Sequence, residues 1–277
     1  MAGTLYLVPT PIGNLGDISP RMADTMAQAD FIAAEDTRVS LKLLNHLGIK
    51  KPMISYHRHN TESGGQAVIS RLMAGESCAL VTDAGMPAIS DPGEELVAEC
   101  AKLDIPVIVI PGPCALVAAL AASGQPTGRF TFEGFLPMNK KNRKAHLDSL
   151  RGEERTMIFY EAPHKLNATL KDLAGAFGEE RSISLCRELS KLHEEIRRTT
   201  LGEAVAHYEQ NQPKGEFVLV VRGAEPLEEK EITVEDGLVL VERLRAEGAS
   251  LRDAVKQAAK ELGLPRNQLY DLAVNQK

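Results

Sequence analysis

The chain has 277 residues, 43% of them hydrophobic and 25% charged, which allows one large domain or two to three small ones with ordinary cores. A net charge of −6 argues against a protein that coats nucleic acid through bulk electrostatics, but a local basic patch would still permit an RNA substrate. With 4% aromatic residues and no Trp, a surface that binds single-stranded bases mainly by stacking is not expected.

Short apolar runs alternate with helical stretches in the first part of the chain. Helix starts and ends are marked by Ser19 followed by a proline and by Gly48. This alternation predicts a mostly parallel sheet with helices on both faces, forming a first α/β domain over residues 1–122. The predicted strands are Leu5–Val8, Phe31–Ala34, Met53–Tyr56, Cys78–Thr82 and Val107–Ile110.

A second α/β domain, residues 123–223, is predicted after a linker at Ser123–Arg129. Helices are predicted over His164–Phe177 and Glu203–Gln210, so a mixed sheet covered by helices is expected. The predicted strands are Phe130–Phe135, Thr156–Tyr160, Ser182–Cys186, Glu195–Thr199 and Phe217–Val221.

A second linker, Ala224–Glu231, precedes a small tail over residues 232–277. Three short helices with glycine turns are predicted there, Val234–Ala246, Leu251–Leu262 and Arg266–Ala273, an arrangement typical of a helix-turn-helix. The tail is also rich in basic residues, namely Arg245, Arg252, Lys256, Lys260, Arg266 and Lys277.

No membrane segment or secretion signal is predicted. The N-terminus lacks the basic region and long apolar stretch of a signal peptide, and prolines interrupt the most apolar segment, Ile105–Ala122. Cys78 and Cys186 lie in apolar, strand-like runs, so we expect buried free thiols, a reducing compartment and a cytoplasmic protein.

The loop Thr82–Gly93 is the strongest candidate for a small-molecule site. Ligands of parallel α/β sheets bind beyond the carboxyl ends of the strands, and all five such ends in the first domain carry polar or Gly/Pro-rich loops. Neither G-x-G-x-x-G nor G-x-x-x-x-G-K-[ST] follows a strand, so a phosphate cradle for a dinucleotide or nucleoside triphosphate is not expected. Two acids, small residues and prolines instead suit a ligand with an amine, hydroxyls and a flat ring.

Each candidate side chain also has a purely structural interpretation. Asp83 and Asp91 are typical of turn caps. The pair His57 and His59 has the H-x-H spacing of metal ligands, but no third ligand follows at a suitable distance, so no metal is expected.

The residues at the other strand ends and in the basic cluster Lys140–Lys144 also have a purely structural interpretation. Glu35 and Arg38 fit an ion pair at a helix start. Gly112 and Cys114 fit a strand-to-helix corner, and Lys140–Lys144 fit a solvated helix face.

Long motifs, in order along the chain, resemble one family. The strings are LYLVPTPIGNLGDIS, AAEDTR, YHRHN, LVTDAGMPAISDPGEELV, VIPGPCALVAAL, FEGFLP, YEAPHK and CRELSKLHEE. They resemble the tetrapyrrole-methylase-like methyltransferases, which use S-adenosylmethionine. Within that family the resemblance is to the bacterial enzymes that methylate the ribose 2′-oxygen of a cytidine in 16S ribosomal RNA of the small subunit, and the tail matches their helix-turn-helix.

This resemblance implies a fold and a set of cofactor contacts. The fold would be two αβα domains with S-adenosylmethionine in the cleft between them, plus the helical tail, and the chain would form a homodimer. The sequence departs from the family pattern at Met86, Cys114 and Lys165. The implied cofactor contacts are Pro11, Ile12, Asp83, Gly85, Ala88, Ile89, Gly112, Cys114, Ala115, Tyr160, Arg187, Gly215 and Glu216.

Catalytic roles are hypotheses drawn from the same strand ends. The proton of the ribose hydroxyl would be taken by Glu35 or His59, with Asp36 and His57 as further candidates. Arg38 joins this catalytic set because it would hold an RNA phosphate, as would Arg187 and Lys191. An RNA footprint is predicted from Lys140–Lys144, Arg197, Arg198 and the basic tail.

Two other functions fit parts of the sequence. Methylation of a tetrapyrrole carbon shares the fold class, but the helical tail and the strings AAEDTR and YHRHN argue against it. A DNA-binding regulator that reads DNA with its tail is disfavoured by the acidic chain and by the many site-like strand ends.

Overall fold

A computed structural model describes residues 2–225 and 233–275. The chain divides into two compact units, residues 1–225 and 226–277. The predicted linker Ala224–Glu231 lies outside the described residues from residue 226 onward, and so does Lys277 of the tail.

The first sheet consists of five strands, β1 Leu5–Leu7, β2 Phe31–Ala34, β3 Met53–Ser55, β4 Cys78–Val81 and β5 Val107–Val109. All of them are parallel, in the order β3-β2-β4-β1-β5. The predicted parallel sheet is therefore confirmed. Four strands end one residue earlier than predicted, because the chain leaves the ladder there to enter the loops.

Helices cover both faces of this sheet. All four residues of β4 are buried. Cys78 and Leu80 pack with the helices at 61–73 and 94–102, whereas Ala79 and Val81 pack with the helices at 20–28 and 37–46 on the other face. A strand buried on both faces has a continuous apolar run, which is why the sequence pattern predicted it. The helices are α1 Pro20–Gln28, α2 Thr37–His46, α3 Thr61–Met73, α4 Glu94–Lys102 and α5 Ala115–Ser123.

The strands of the second sheet are β6 Phe130–Phe135, β7 Thr156–Glu161, β8 Ser182–Arg187, β9 Glu195–Thr200 and β10 Phe217–Val221. The sheet is mixed, in the order β6-β7-β10-β8-β9, and among these pairings only β6 and β7 run parallel. Its helices are α6 Lys140–Ser149, α7 Leu166–Phe177 and α8 Leu201–Gln210.

Two of these helices begin elsewhere than predicted. A 3₁₀ turn, Pro163–Lys165, precedes α7. Helix α8 starts two residues early because Thr200 and Glu203 form a capping box around its first turn.

Helix α5 packs on the second sheet. Leu116, Ala119 and Leu120 join Ile158, Val220 and neighbouring residues of that sheet in one buried cluster, while α6, α7 and α8 cover the opposite face. Ser123, predicted as the first residue of a linker, is the fully buried last residue of α5, because its backbone carbonyl accepts hydrogen bonds from Oγ of Ser184 and Nε of Arg198 at 2.8 and 2.9 Å.

The tail is three helices, α9 Val234–Ala246, α10 Leu251–Leu262 and α11 Arg266–Asn275. Thr233 and Ser250 cap the first two, and Gly263 ends α10 in the left-handed conformation. Leu238, Val255 and Leu269 lie in its buried core. No helix within the described ranges is long and apolar enough to cross a membrane.

Candidate active site

The segment Thr82–Gly93 lies at the middle of the first sheet's carboxyl edge, because β4 lies between β2 and β1. Thr10 and Gly85 exchange two backbone hydrogen bonds, with N···O distances of 2.9 and 3.0 Å. The Oγ1 of Thr10 also donates to the carbonyl of Thr82 at 2.9 Å. The loop is thereby fixed to the end of the neighbouring strand.

The backbone of this loop is strained at two non-glycine residues. Ala88 and Ser90 have φ angles of 66° and 63°, a region that L-residues adopt only when the surroundings impose it. The backbone N–H of Ala88 donates to the carbonyl of Pro92 at 3.3 Å, and the guanidinium of Arg58 donates to the carbonyl of Ser90. These bonds hold a tight, preformed loop.

A cavity of about 320 Å³ is lined by residues of both sheets. We call it the central cavity. From the first sheet's edge and the start of α5 come Ile12, Glu35, Thr82, Asp83, Ala84, Gly85, Met86, Ile89, Ser90, Asp91, Cys114 and Ala115. From the second sheet come Phe135, Tyr160, Glu161, Ala162, Cys186, Glu188, Leu189, Lys191, Glu216, Phe217 and Val218.

Three carboxylates line one wall of the central cavity. The Oγ1 of Thr82 donates a hydrogen bond to Oε2 of Glu35 at 2.8 Å. Burial, followed by the negative charge of Glu35, raises the pKa of Asp91 to about 6. Burial also raises the pKa of Asp83, whose Oδ1 accepts from the backbone N–H of Asp36 at 3.1 Å. This wall suits a cationic ligand, because a positive charge would relieve the repulsion among the carboxylates.

Tyr160 connects the second sheet to the start of α5. Its hydroxyl accepts a hydrogen bond from the backbone N–H of Leu116 at 3.0 Å, and burial raises its pKa. The rings of Phe132 and Phe135 contact it edge-on, with centroids 5.0 and 5.7 Å away. Tyr160 is therefore a rigid aromatic part of the wall.

A charged cluster follows β8 at the opposite side. The Nζ of Lys191 lies 2.8 Å from carboxylate oxygens of both Glu188 and Glu216. Its side chain runs over Gly13, where a Cβ would lie 2.3 Å from Cγ of Lys191. A glycine is required there, so Lys191 joins the first loop to the second sheet.

Eight of the thirteen predicted cofactor residues line the central cavity. They are Ile12, Asp83, Gly85, Ile89, Cys114, Ala115, Tyr160 and Glu216. Among the proposed catalytic residues, Glu35 lines it, whereas His59 and Arg38 do not. His59 is exposed, and the Arg38 side chain, 87% exposed, pairs with Asp36.

The other five predicted cofactor residues, Pro11, Ala88, Gly112, Arg187 and Gly215, lie outside the lining. Arg187 instead pairs with Glu195 at 3.1 Å. At Gly112 a Cβ would lie 2.5 Å from Cγ of Pro9, and at Gly215 a Cβ would lie 2.4 Å from Cγ of Glu188. These two glycines make room for protein side chains.

Two arginines of the predicted RNA footprint are engaged in the fold. Arg198 donates to the carbonyls of Ala122 and Ser123 at the end of α5, and Arg197 pairs with Glu195. The donors that form these bonds are not available to a phosphate while the bonds persist. In the cluster Lys140–Lys144, Arg143 is likewise bound to Asp172 and Thr169, which leaves the three lysines exposed.

Several lining residues were not predicted. Glu161 ends β7 and Ala162 follows it, and Phe217 and Val218 begin β10. Glu161 is 4% exposed and accepts hydrogen bonds from Thr169 and from the backbone N–H of Ala162. For Glu161 and Ala162 the available signal was their place in the string YEAPHK at the end of β7.

Comparison with known proteins assigns the family. Residues 4–205 match the family of Tetrapyrrole (Corrin/Porphyrin) Methylases. The chain belongs to the tetrapyrrole methylase family. Residues 233–277 of this tetrapyrrole methylase match a second family, the RsmI C-terminal HTH domain. It is therefore a methyltransferase, and the predicted fold class is confirmed.

Its relatives match almost end to end. A protein of Synechocystis named ribosomal RNA small subunit methyltransferase I is 51% identical over 98% of both chains. Proteins of the same name from Halalkalibacterium halodurans and Pseudomonas aeruginosa are 48% and 46% identical, over 98% and 100% of this chain and 94% and 98% of their own.

Solved structures show the same fold at low identity. The methyltransferase CobJ aligns with a TM-score of 0.60 and 16% identity over 82% of this tetrapyrrole methylase and 97% of its own chain. Uroporphyrin-III C-methyltransferase from Thermus thermophilus, solved with S-adenosylhomocysteine, aligns with a TM-score of 0.56 and 16% identity over 79% and 97% of the two chains.

Proposed function

We propose that this chain transfers a methyl group from S-adenosylmethionine to the ribose 2′-hydroxyl of a cytidine in 16S ribosomal RNA of the small ribosomal subunit. The proposal depends on one observation: the relatives named for small-subunit ribosomal RNA match both the main unit and the tail, over 98% of each chain in the Synechocystis case. The implied location is the cytoplasm, where ribosomes are.

The central cavity fits S-adenosylmethionine. The carboxylates of Glu35, Asp83 and Asp91 would face its positive charges, and Ile12 and Ile89 give apolar surface for its adenine ring. A Cβ at Gly85 would lie 3.4 Å from Cγ2 of Ile12, so a side chain there would take up space in the cavity. When bound, the cofactor supplies an electrophilic methyl group on a sulfonium.

The protein's part is to position the RNA and accept a proton. Aligning the ribose oxygen with the methyl group contributes up to about 7–11 kcal/mol. Glu35 is the proposed base: its Oε2 is held by Thr82, and Oε1 would accept the proton of the 2′-hydroxyl. His59 stays an alternative base. Arg38, with most of its side chain exposed, is the proposed contact to an RNA phosphate.

The RNA footprint is proposed to comprise the exposed lysines of α6 and the basic residues of the tail. Lys140, Lys141 and Lys144 lie in the first turns of α6, and Arg252, Lys256 and Lys260 recur every fourth residue on α10, so each set presents a ridge of positive charge. Such ridges provide local attraction for phosphates on a chain with a net charge of −6.

A homodimer is also proposed. It is supported by apolar side chains exposed on β5, an edge strand, and on α5, because Val109 is 52% and Val117 is 54% exposed. Sedimentation analysis tests this assembly. A monomer at micromolar concentration would rule it out.

One experiment tests the proposed reaction. The protein is incubated with methyl-labelled S-adenosylmethionine and, in turn, small ribosomal subunits, a precorrin-type tetrapyrrole and duplex DNA. Label that enters the RNA at a single ribose and makes the adjoining bond resistant to alkali supports the proposal. Label on the tetrapyrrole, or on none of the three, contradicts it.

A further inference from the structure

A second cavity, of about 260 Å³, shares Thr82 and Asp83 with the central cavity. We call it the α2 cavity. Besides the two shared residues it is lined by Leu15 of the first loop and by Val39, Ser40, Lys42, Leu43 and His46 of α2. Its volume is close to the lower end of the ~300–1,000 Å³ range of ligand pockets, which suits a ligand with a single ring system.

Most of the surface that its walls expose is apolar. Val39, Lys42, Leu43 and His46 have the i, i+3, i+4, i+7 spacing of one helical face of α2. Leu15 from the first loop adds further apolar surface to the same cavity and is 50% exposed. Apolar side chains on α2 and on the first loop can hold a flat ring between them, as pockets for extruded bases do.

One hydroxyl in this wall has no hydrogen-bond partner. Ser40 is 3% exposed, and its Oγ bonds to no other group in the described part of the chain. Leaving a buried hydroxyl unpaired costs about 1–3 kcal/mol. A ligand with donors and acceptors on its edge would supply the missing partner.

One cationic side chain, that of Lys42, and the imidazole of His46 lie beside the apolar wall. Lys42 and His46 are exposed residues of the cavity lining, and neither forms an ion pair within residues 2–225 and 233–275. An apolar slot, an unpaired hydroxyl and two basic side chains match a base, its polar edge and its phosphate.

We propose that the α2 cavity is a nucleoside subsite that holds one base of the RNA strand next to the methyl donor. The base lies between Leu15 and the α2 face, Ser40 Oγ bonds to its polar edge, and Lys42 and His46 face a flanking phosphate. This inference depends on the proposed function for its substrate. Because Thr82 and Asp83 line both cavities, a nucleoside in the α2 cavity lies next to the central cavity.

Direct binding is the first test. The four nucleoside 5′-monophosphates are titrated into the full chain, and NMR shifts of the Val39 and Leu43 methyl groups and of the His46 ring are followed. At least one nucleotide should shift these signals. Val39→Phe, which fills the slot, should abolish the effect, whereas Leu41→Phe, on an exposed residue outside the cavity, should keep it. Absence of shifts with all four nucleotides would overturn the proposal.

Kinetics on small subunits give the second test. Val39→Phe should lower kcat/KM for RNA by about 10-fold or more, with the Kd for S-adenosylmethionine unchanged within about twofold. Ser40→Ala should raise the KM for RNA by about 2- to 10-fold without lowering Tm, because the lost hydroxyl bonds to no group among the residues that the structure describes. A normal kcat/KM in Val39→Phe together with a normal KM in Ser40→Ala would refute the subsite.

The proposed reaction and the proposed nucleoside subsite can be refuted independently of each other. Wild-type protein that binds nucleotides at Val39 and His46 but leaves ribosomal RNA unlabelled would contradict the proposed reaction alone. Wild-type protein that labels the RNA normally while Val39→Phe is equally active would contradict the subsite alone.

Discussion

The hydroxyl of Thr82 donates a hydrogen bond to the carboxylate of Glu35 at 2.8 Å, joining the end of β4 to the end of β2. This hydrogen bond occupies Oε2 of Glu35 and leaves Oε1 available in the central cavity. Because a held carboxylate cannot rotate freely, Thr82 is a positioning residue for Glu35. The proposed base is thereby fixed by the same residue that begins the cofactor loop.

Replacing Glu35 by Gln or Ala should lower kcat by about 10²–10⁴-fold, the usual contribution of a general base. The Kd for S-adenosylmethionine, measured by calorimetry, should change much less. His59→Ala is the matched variant: its side chain is exposed and outside the lining, so kcat should stay near normal. A large loss in His59→Ala with near-normal Glu35→Ala would transfer the role to His59.

Cofactor affinity should depend on pH through Asp91. Its pKa of about 6 means that the carboxyl is largely neutral at pH 5 and charged at pH 7. S-adenosylmethionine, which carries a sulfonium, should therefore bind more tightly as the pH rises across this interval. S-adenosylhomocysteine, which lacks that charge, should respond less.

Calorimetric titrations at pH 5, 6 and 7 check this. In Asp91→Asn the slope for S-adenosylmethionine should flatten, because the titrating group is gone. Equal pH dependence for both ligands in the wild type would show that Asp91 does not face the sulfonium.

The same residue should destabilise the folded chain at neutral pH. Its pKa is raised from 3.8 in the unfolded chain to about 6, so the folded state binds the proton more tightly between these values. Its contribution to stability thus falls as the pH rises through about 4 to 6. Asp91→Asn should raise stability at pH 7 by about 1 kcal/mol after allowance for solvent screening, and leave it nearly unchanged at pH 4. Thermal unfolding of Asp91→Asn and of the wild type at both pH values measures this difference. A lower Tm for Asp91→Asn than for the wild type at pH 7 would contradict the raised pKa of Asp91.

A substitution at Gly112 distinguishes a packing role for this residue from a role as a cofactor contact. A Cβ there would lie 2.5 Å from Cγ of Pro9 and 3.1 Å from Sδ of Met22, so Gly112→Ala should destabilise the fold by about 1–3 kcal/mol. Gly128→Ala, where a Cβ meets nothing within 4 Å, is the control. Chemical denaturation measures both. Wild-type stability with weaker cofactor binding in Gly112→Ala would restore the cofactor role.

The RNA footprint should be visible in the salt dependence of binding to small subunits. Changing Lys140, Lys141 and Lys144 to Gln should reduce the slope of log K against log salt by about one for each lost phosphate contact. The tail set Arg252, Lys256 and Lys260, changed in the same way, should behave alike. Lys102→Gln, which removes a lysine paired with Glu99, is the control. Slopes equal to wild type in both sets would exclude these surfaces.

The parallel sheet could be predicted because its chemistry is local. The run Cys78–Val81 is apolar on every residue, and a run of that length bounded by loops is typical of a strand buried on both faces. The site loop could be located for the same reason, since ligands of such sheets bind at one edge. Asp83 and Ile12, two of the predicted cofactor contacts, line the central cavity.

The contribution of the second sheet could not be predicted in the same way. In a mixed sheet the strand order decides which ends lie at the cavity, and β10 enters between β7 and β8 although it comes last in the sequence. Strand geometry also limits the choice of single residues: Cys186 lines the cavity, while Arg187, one residue later on the strand and a predicted cofactor contact, pairs with Glu195. Successive strand residues point to opposite faces, so an offset of one moves a side chain away from the ligand.

The packing of α5 on the second sheet has a consequence for synthesis of the chain. The first sheet is complete once β5 has been made, yet the apolar face of α5 finds its partners only when β10, ending at Val221, has left the ribosome. Until then Leu116 and Leu120 stay in water, where exposed apolar surface favours aggregation. A nascent chain stalled before residue 217 should therefore recruit chaperones, and release of those chaperones should coincide with the addition of the last strand.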